Sequence, residues 1–405
     1  MKLLYITNAR IPTEKAHGIQ IMKMCEAFQQ AGLFVELLVP FRVQSSRMKE
    51  VKKTLWDYYD VDTPFHIRHI PALDFIPLEA ILPQKIVLGL YYIQSLLFSL
   101  FALFFTWRER DAFYYSRDLQ TLFLLCLTKH LHRKAIFYEA HELHGIGEAT
   151  GVFSSLSHRI MSVILDRVDG MIAITKQLQA GYNKRGIDEG DILVAPDGIS
   201  AKRLSVSPDK AAARQRLQIP LDRKIVCYTG HLFRWKGVYT LADSAAYLPE
   251  NWEIYIVGGM ESDVAALQRY LGESGVRNVV ITGYMPYNAV SSYLSAADVL
   301  VLPNSQKARI SREYTSPLKL FEYMAAQRPI VASNLPSIRE VLCHQQNAWL
   351  VNPDDPQALA DGMITVMNNV QKAEHLVNNA FQDVRAYTWE RRAQQICEFF
   401  ARRMK

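Results

Sequence analysis

Cysteine is scarce in this chain and never paired. Cys25, Cys126, Cys227, Cys343 and Cys397 stand singly among 405 residues, with no Cys-x-x-Cys and no histidine pair at metal spacing. That pattern excludes a zinc ribbon and a disulfide framework, and it fits reduced structural thiols in a cytosolic setting. No low-complexity tract interrupts the chain, and no Gly-x-Gly-x-x-Gly follows a candidate strand, so a dinucleotide fingerprint is missing. Basic motifs interleaved with aromatics are also missing, which argues against nucleic acid as a partner. Met1-Lys2 runs straight into the apolar Leu3-Leu4-Tyr5-Ile6, so no secretory signal is expected at the start. The string Asp60-Val61-Asp62 lies in a polar segment apart from every other motif. It reads as a solvated loop, and no metal or cofactor is expected.

What remains is a globular composition, 49% hydrophobic and 21% charged, in a chain too long for one ordinary core. Short apolar runs alternate with helical patterns along its whole length, the mark of parallel sheets wound on both faces. The first series has strands expected at 3–7, 35–39, 112–115, 135–138, 171–175 and 192–195. A second series begins at Ile225 and continues through 252–257, 279–282, 299–302, 330–332 and 348–351. Between them, Ala201 to Asp222 carries Pro208, Pro220 and several charges, which places a boundary there. The expected fold is α/β, two Rossmann-like doubly wound domains at 1–203 and 204–385 with strand ends facing a central cleft. A final helix over 386–405, with Ile396, Phe399 and Phe400 on its apolar side, is expected to pack back on the first domain.

The most telling stretch is Ser316-Pro317-Leu318-Lys319-Leu320-Phe321-Glu322. It follows the buried-strand run Val299–Leu302. Serine suits an N-cap, and proline then suits the first helical position. Leu318, Phe321 and Ala325-Ala326 mark the buried stripe. A helix start of this kind presents unpaired N–H groups and a positive dipole end, which suit a phosphate. Glu322, more than one turn further on, is placed to accept hydrogen bonds from a sugar diol. Gly230-His231-Leu232-Phe233-Arg234-Trp235-Lys236-Gly237, after the first strand of the second series, supplies a flexible cationic loop. In the first series, His17-Gly18 sits at a helix start, and His141 follows the strand ending at Tyr138, where ligands of doubly wound sheets gather.

Two further segments concern partners. Arg42, Arg47, Lys49, Lys52 and Lys53 crowd 42–53, and Ile86 to Trp107 carries no charge. The second meets the length rule for a membrane span, but Gln94, Ser95 and Ser99 interrupt it. It reads as a long helix, buried or dipping into a membrane, and 42–53 as a patch for anionic headgroups or phosphorylated acceptors.

The chain resembles the group 1 retaining glycosyltransferases of GT-B architecture. The resemblance rests on the Gly230–Gly237 loop, Val257-Gly258-Gly259, Thr282-Gly283-Tyr284, Ala297-Asp298-Val299 with Pro303, the Ser316–Ala326 helix, Pro329-Ile-Val-Ala-Ser and Pro196-Asp-Gly-Ile. It implies a UDP- or GDP-sugar donor held by the second domain. Glu322 would bind the ribose hydroxyls and Lys236 the diphosphate, helped by Gly230 and by Ser316, Pro317, Leu318 and Lys319 at the helix start. Gly258 would lie against the nucleotide and Tyr284 against the base. Gly18 and His17 would line the acceptor side, and His141 would approach the transferring sugar. The family's first glutamate of its Glu-x7-Glu element falls at Tyr314, and the arginine expected after Gly230 is His231, with Arg234 as a replacement. The implied activity is transfer to a lipid-linked or glycan acceptor at the cytosolic membrane face, in cell-envelope polysaccharide or glycolipid synthesis. A nucleotide-sugar epimerase or hydrolase, and a non-catalytic binding protein, are the alternatives.

Overall fold

The structure, a computed structural model, describes residues 1–44, 46–51, 54–75, 82–144, 152–205 and 209–405. Lys52, Lys53 and Pro208 of the sequence reading lie outside the described residues. The chain forms two compact units, Met1–Ala195 with Glu390–Lys405, and Pro196–Trp389. The division comes eight residues before the expected boundary at 203, because Ile199 bonds Tyr387 and Trp389 and so belongs to the second unit.

The first unit is built on β1 (Lys2–Ile6), β2 (Phe34–Pro40), β3 (His66–Ile70), β4 (Ala112–Ser116), β5 (Ile136–Ala140), β6 (Gly170–Ala173) and β7 (Ile192–Val194). These form one parallel sheet in the order β3-β2-β1-β4-β5-β6-β7. Apolar side chains fill β1, β2, β4 and β5 on both faces, as a sheet covered by helices requires. The last helix, Trp389–Arg403, closes this unit. Phe400 packs 4.3 Å from Phe137 and 5.0 Å from Phe113, ring centre to ring centre. Its Arg392 reaches the buried carboxylate of Glu139 at 2.7 Å and the carbonyl of Ala195 at 3.0 Å.

The second unit contains β8 (Lys224–Thr229), β9 (Trp252–Val257), β10 (Val279–Gly283), β11 (Val299–Leu302), β12 (Ile330–Ser333) and β13 (Trp349–Val351). They too are parallel, ordered β10-β9-β8-β11-β12-β13. Strand order reverses between β8 and β11. At such a reversal the connecting helices leave on opposite faces and open a crevice at the carboxyl ends. The cationic loop follows β8 and the Ser316–Glu322 stretch follows β11, so the topology delivers both to the same edge.

The helix Gln84–Thr106 departs from the buried reading. Its polar side chains face inward: Gln94, Ser95, Ser99 and Thr106 are each at most 2% exposed. Ser99 bonds Thr121 at 2.9 Å, Thr106 bonds Tyr114 at 3.1 Å, and Gln94 accepts from the Phe75 N–H. Ile86, Leu88, Ile93, Leu96, Phe101 and Phe104 face outward, Phe104 with 74% of its surface exposed. This is an amphipathic helix turned inside out, not a core helix. The helix is long and apolar enough to cross a membrane, yet only a third of its most apolar window is buried.

The basic segment also differs from its reading. Arg42 is buried and donates to Asn8 Oδ1 at 2.6 Å, so it belongs to the interior of the first unit. Lys49 remains exposed.

Candidate functional site

The donor-type residues of the second unit come together around Gly230. That glycine directly follows β8, and its N–H bonds Val257 O at 2.8 Å. Gly258 packs so closely against it that an added Cβ would lie 2.5 Å from Gly230 O. The loop then turns through Arg234–Lys236 and closes at Gly237. Gly237 has φ +74°, and a Cβ there would lie 1.7 Å from Pro303 O at the end of β11. Ser305 N–H bonds Trp235 O at 3.0 Å. Glycine is therefore the residue that lets the two loops touch, and their contact fixes where Lys236 stands.

Lys236 lies against two rings, with Nζ 5.1 Å from the centre of Trp235 and 5.8 Å from that of Phe233. Burial among them brings its pKa down from the usual lysine value to about 8. Below pH 8 the folded protein carries a charged lysine it does not favour. That cost is relieved as pH rises from 8 towards 10.5, so this group stabilises the fold toward alkaline pH. Anion binding runs the other way. Affinity for a nucleoside diphosphate is expected to fall roughly tenfold per pH unit above about 8, because the free loop loses its charge there. Calorimetry between pH 7 and 9.5 checks this, and a flat profile would contradict the role of Lys236.

The helix after β11 starts one residue later than its sequence suggests. Pro317 occupies the cap position, the helix runs Leu318–Ala325, and no side chain caps it. Ser316 is used elsewhere, its hydroxyl accepting from the Asp197 N–H at 3.1 Å. Leu320, Phe321, Tyr323 and Met324 carry the buried face, while Leu318 is half-exposed. Tyr323 OH accepts from the Thr229 N–H at 2.8 Å, tying the helix to β8. Lys319 is buried, with Nζ 3.5 Å from the centre of the Tyr228 ring. Glu322 sits one turn on. Burial raises its pKa, partly offset by Arg203, a hydrogen bond with Tyr287 and Lys319. Arg203 in turn lies 4.3 Å over the Tyr287 ring. Neither Arg203 nor Tyr287 lies in a sequence motif, and only the fold brings them to Glu322.

The remaining expected residues separate into those near this group and those away from it. His231 stacks on Phe233 at 5.1 Å, and its carbonyl accepts from Tyr228 OH at 2.7 Å. Arg234 is exposed and lies 4.6 Å over Tyr239, in the neighbourhood of Tyr270 and Asp243. Its guanidinium thus lies on an aromatic face rather than beside Lys319. Tyr314 is buried in a π-helical turn, Ile310–Tyr314, under the Arg309 guanidinium at 5.2 Å. The neighbouring Glu313 is held by Arg309 at 2.9 Å and Arg312 at 2.8 Å. Tyr284 is half-buried just past β10.

In the first unit, the helix Ala16–Gln30 includes His17 and Gly18 in its first turn. A Cβ on Gly18 would meet Thr13 Cγ2 at 2.5 Å and Tyr59 OH at 2.9 Å. Packing inside the unit therefore accounts for this glycine. His141 follows β5, with Nε2 3.6 Å from Glu139 Oε1. Burial and the nearby Arg117 lower its pKa to about 4. The imidazole is thus neutral at pH 7. Stability is lost as pH falls from 6.5 towards 4, where the unfolded chain takes the proton first. Asp60 caps the short helix Leu55–Tyr59, and its carbonyl accepts from Lys23.

Two parallel doubly wound units, one carrying a cationic loop and a helix start at its strand-order reversal, make an architecture of GT-B type. Residues 223–369, within the second unit, match the family model described as Glycosyl transferases group 1. Among curated proteins it is 23% identical over 383 residues to TuaC of Bacillus subtilis, a glycosyltransferase named for teichuronic acid biosynthesis, covering 90% of this chain and 88% of that one. It is 26% identical over 254 residues to a D-inositol 3-phosphate glycosyltransferase of Corynebacterium urealyticum. There the match spans 58% of this chain and little over half, 57%, of the relative. Among solved structures it superimposes on sucrose-phosphate synthase of Thermosynechococcus elongatus with a TM-score of 0.78 at 19% identity, covering 99% and 98% of the two chains. It also superimposes on Anabaena HepE, solved with UDP and glucose, with a TM-score of 0.72 at 18% identity and 99% coverage of both.

Proposed function

We propose that this protein is a glycosyltransferase that takes a UDP- or GDP-linked hexose and transfers it, with retention and without metal, to a lipid-linked or glycan acceptor at the cytosolic membrane face. Cell-envelope polysaccharide or glycolipid synthesis is the setting that fits. The observation that carries the donor half is the grouping of Lys236, Lys319 and Glu322 about Gly230. The UDP bound by Anabaena HepE supports a uridine nucleotide. In this reading Glu322 accepts from the ribose hydroxyls and Lys236 faces the diphosphate. Gly230, Gly258, Tyr284 and the Ser316–Lys319 helix start complete the donor side, and His17, Gly18 and His141 serve the acceptor side.

Transfer breaks the bond between the anomeric carbon and the diphosphate oxygen and forms one to the acceptor oxygen. Positive charge builds on the sugar and negative charge on the departing diphosphate, so a fixed cation near the latter lowers the barrier. Attack from the face that the diphosphate leaves gives retention, and the acceptor's proton passes to the diphosphate itself. No side-chain base is required. Release of UDP from UDP-glucose in the presence of membrane lipid extract is expected to be unaffected by EDTA. Loss of turnover on chelation would contradict the metal-independent reading.

The membrane half rests on the outward-facing apolar helix Gln84–Thr106. Beyond its end, Arg108, Arg110 and Arg133 line a basin of about 1790 Å³ at the amino ends of the first sheet, with Glu109, Asp111 and Asp169 among them and the cations in excess. An apolar face beside a basic one is what an anionic membrane surface binds. The protein is expected to float with phosphatidylglycerol vesicles, and Phe101→Ser/Phe104→Ser to weaken this at least about tenfold, two buried aromatics being worth several kcal/mol. Wild-type protein that stays at the bottom of the gradient would end this reading.

A further inference from the structure

We propose that the Lys319 side chain is the second cation of the donor diphosphate site, taking the place of the arginine that His231 replaces. The inference deepens the donor reading and rests on it.

Three observations meet at this residue. Lys319 is 7% exposed, and its Nζ has no hydrogen-bond partner among the described residues. A buried ammonium normally finds an anion or several acceptors, since burying it bare is costly. Its position is also the right one. Nζ lies 3.8 Å from where a Cβ on Gly230 would stand, at the mouth of the cationic loop. The ring beneath it is fixed, because Tyr228 OH donates to His231 O at 2.7 Å. The quadrupole of that ring keeps the ammonium in place without neutralising it.

The third observation concerns the other candidates for this charge. The His231 ring is stacked flat against Phe233, 8° from parallel. Arg234 is held over Tyr239. Burial lowers the Lys319 pKa well below the usual lysine value, Lys236 opposes its charge further, and Glu322 favours it. Two mutually repelling ammonium groups at one loop are a poor arrangement for the empty protein and a good one for a ligand with two adjacent phosphates. A diphosphate would accept from both, whereas a monophosphate would reach one. The cation lost after β8 is thus recovered from the helix after β11, on the other side of the same strand-order reversal.

The test compares UDP with UMP, and GDP with GMP, by calorimetry on the full-length protein at pH 7. Lys319→Gln is expected to weaken the diphosphate by roughly 10- to 100-fold and the monophosphate by less than about threefold. Adding His231→Arg to Lys319→Gln is expected to recover at least about tenfold. Melting temperatures of Lys319→Gln and Lys319→Met should equal or exceed wild type, since a buried amine without a hydrogen-bond partner among the described residues is removed. A diphosphate-to-monophosphate ratio that stays at the wild-type value in Lys319→Gln and Lys319→Met overturns the inference. So does equal weakening of both ligands. A wild-type protein that binds neither UDP nor GDP would instead overturn the donor reading itself.

Discussion

Glu322→Ala is expected to lower kcat/KM for the donor by about 100-fold or more, while the melting temperature stays within a few degrees of wild type. The two halves of that expectation have one cause. Glu322 is placed where burial raises its pKa, offset in part by Arg203, Tyr287 and Lys319, so the empty protein gains little from its charge. In the proposed donor reading the carboxylate accepts from the ribose hydroxyls, and each charged hydrogen bond is worth roughly 1.5–3 kcal/mol. Two such bonds give the stated loss. Steady-state kinetics with the preferred nucleotide-sugar and a thermal melt decide it. Activity within threefold of wild type would remove Glu322 from the site, and a collapse of the melt would make it a structural residue.

Arg392→Met is expected to destabilise the first unit by about 3–5 kcal/mol, because it leaves a buried carboxylate without its counter-ion. Glu139 is fully buried and Arg392 nearly so, at 2.7 Å. Tyr5 OH and Gln20 Nε2 donate to the same carboxylate at 3.1 and 2.8 Å. Burial would raise the Glu139 pKa, but Arg392 and His141 hold it well below the usual carboxylate range. That stability is present above the ordinary glutamate value and disappears as pH falls beneath it. Chemical denaturation at pH 7 measures the loss, and Glu139→Gln/Arg392→Met should regain most of it. A single-variant effect below about 1 kcal/mol would show that the last helix is held by its aromatic face alone.

Much of this architecture is legible in the sequence, and the omissions have physical reasons. Strands such as Val299–Leu302 announce themselves because a parallel sheet covered on both faces needs unbroken apolar runs. His66–Ile70 does not, since it lies at the sheet edge and carries His66, Arg68 and His69. Its polar residues are explained by Glu36 on the adjacent strand, which pairs with His66, Arg68 and Lys2. The apolar helix is visible by composition, but composition has no direction. Only the partners of Gln94, Ser95, Ser99 and Thr106 show that the polar face is the inner one.

The donor group was legible as separate motifs and not as a cluster. The Gly230–Gly237 loop and the Ser316–Glu322 stretch are about 85 residues apart in sequence, and the strand-order reversal between β8 and β11 unites them. Side-chain direction was the weak point. Arg42 reads as surface charge and is buried, Ser316 reads as a cap and instead serves Asp197, and Arg234 reads as a phosphate ligand and lies on Tyr239. Lys319 was expected to contribute its backbone, and its buried ammonium emerges only from the packing around Tyr228.

The most direct measurement is a crystal structure of the protein with UDP, or with GDP if that binds more tightly. The account predicts the diphosphate within hydrogen-bonding distance of the Lys236 ammonium and the ribose hydroxyls on the Glu322 carboxylate. A nucleotide bound elsewhere in the second unit, with Lys236 and Glu322 both untouched, would contradict it.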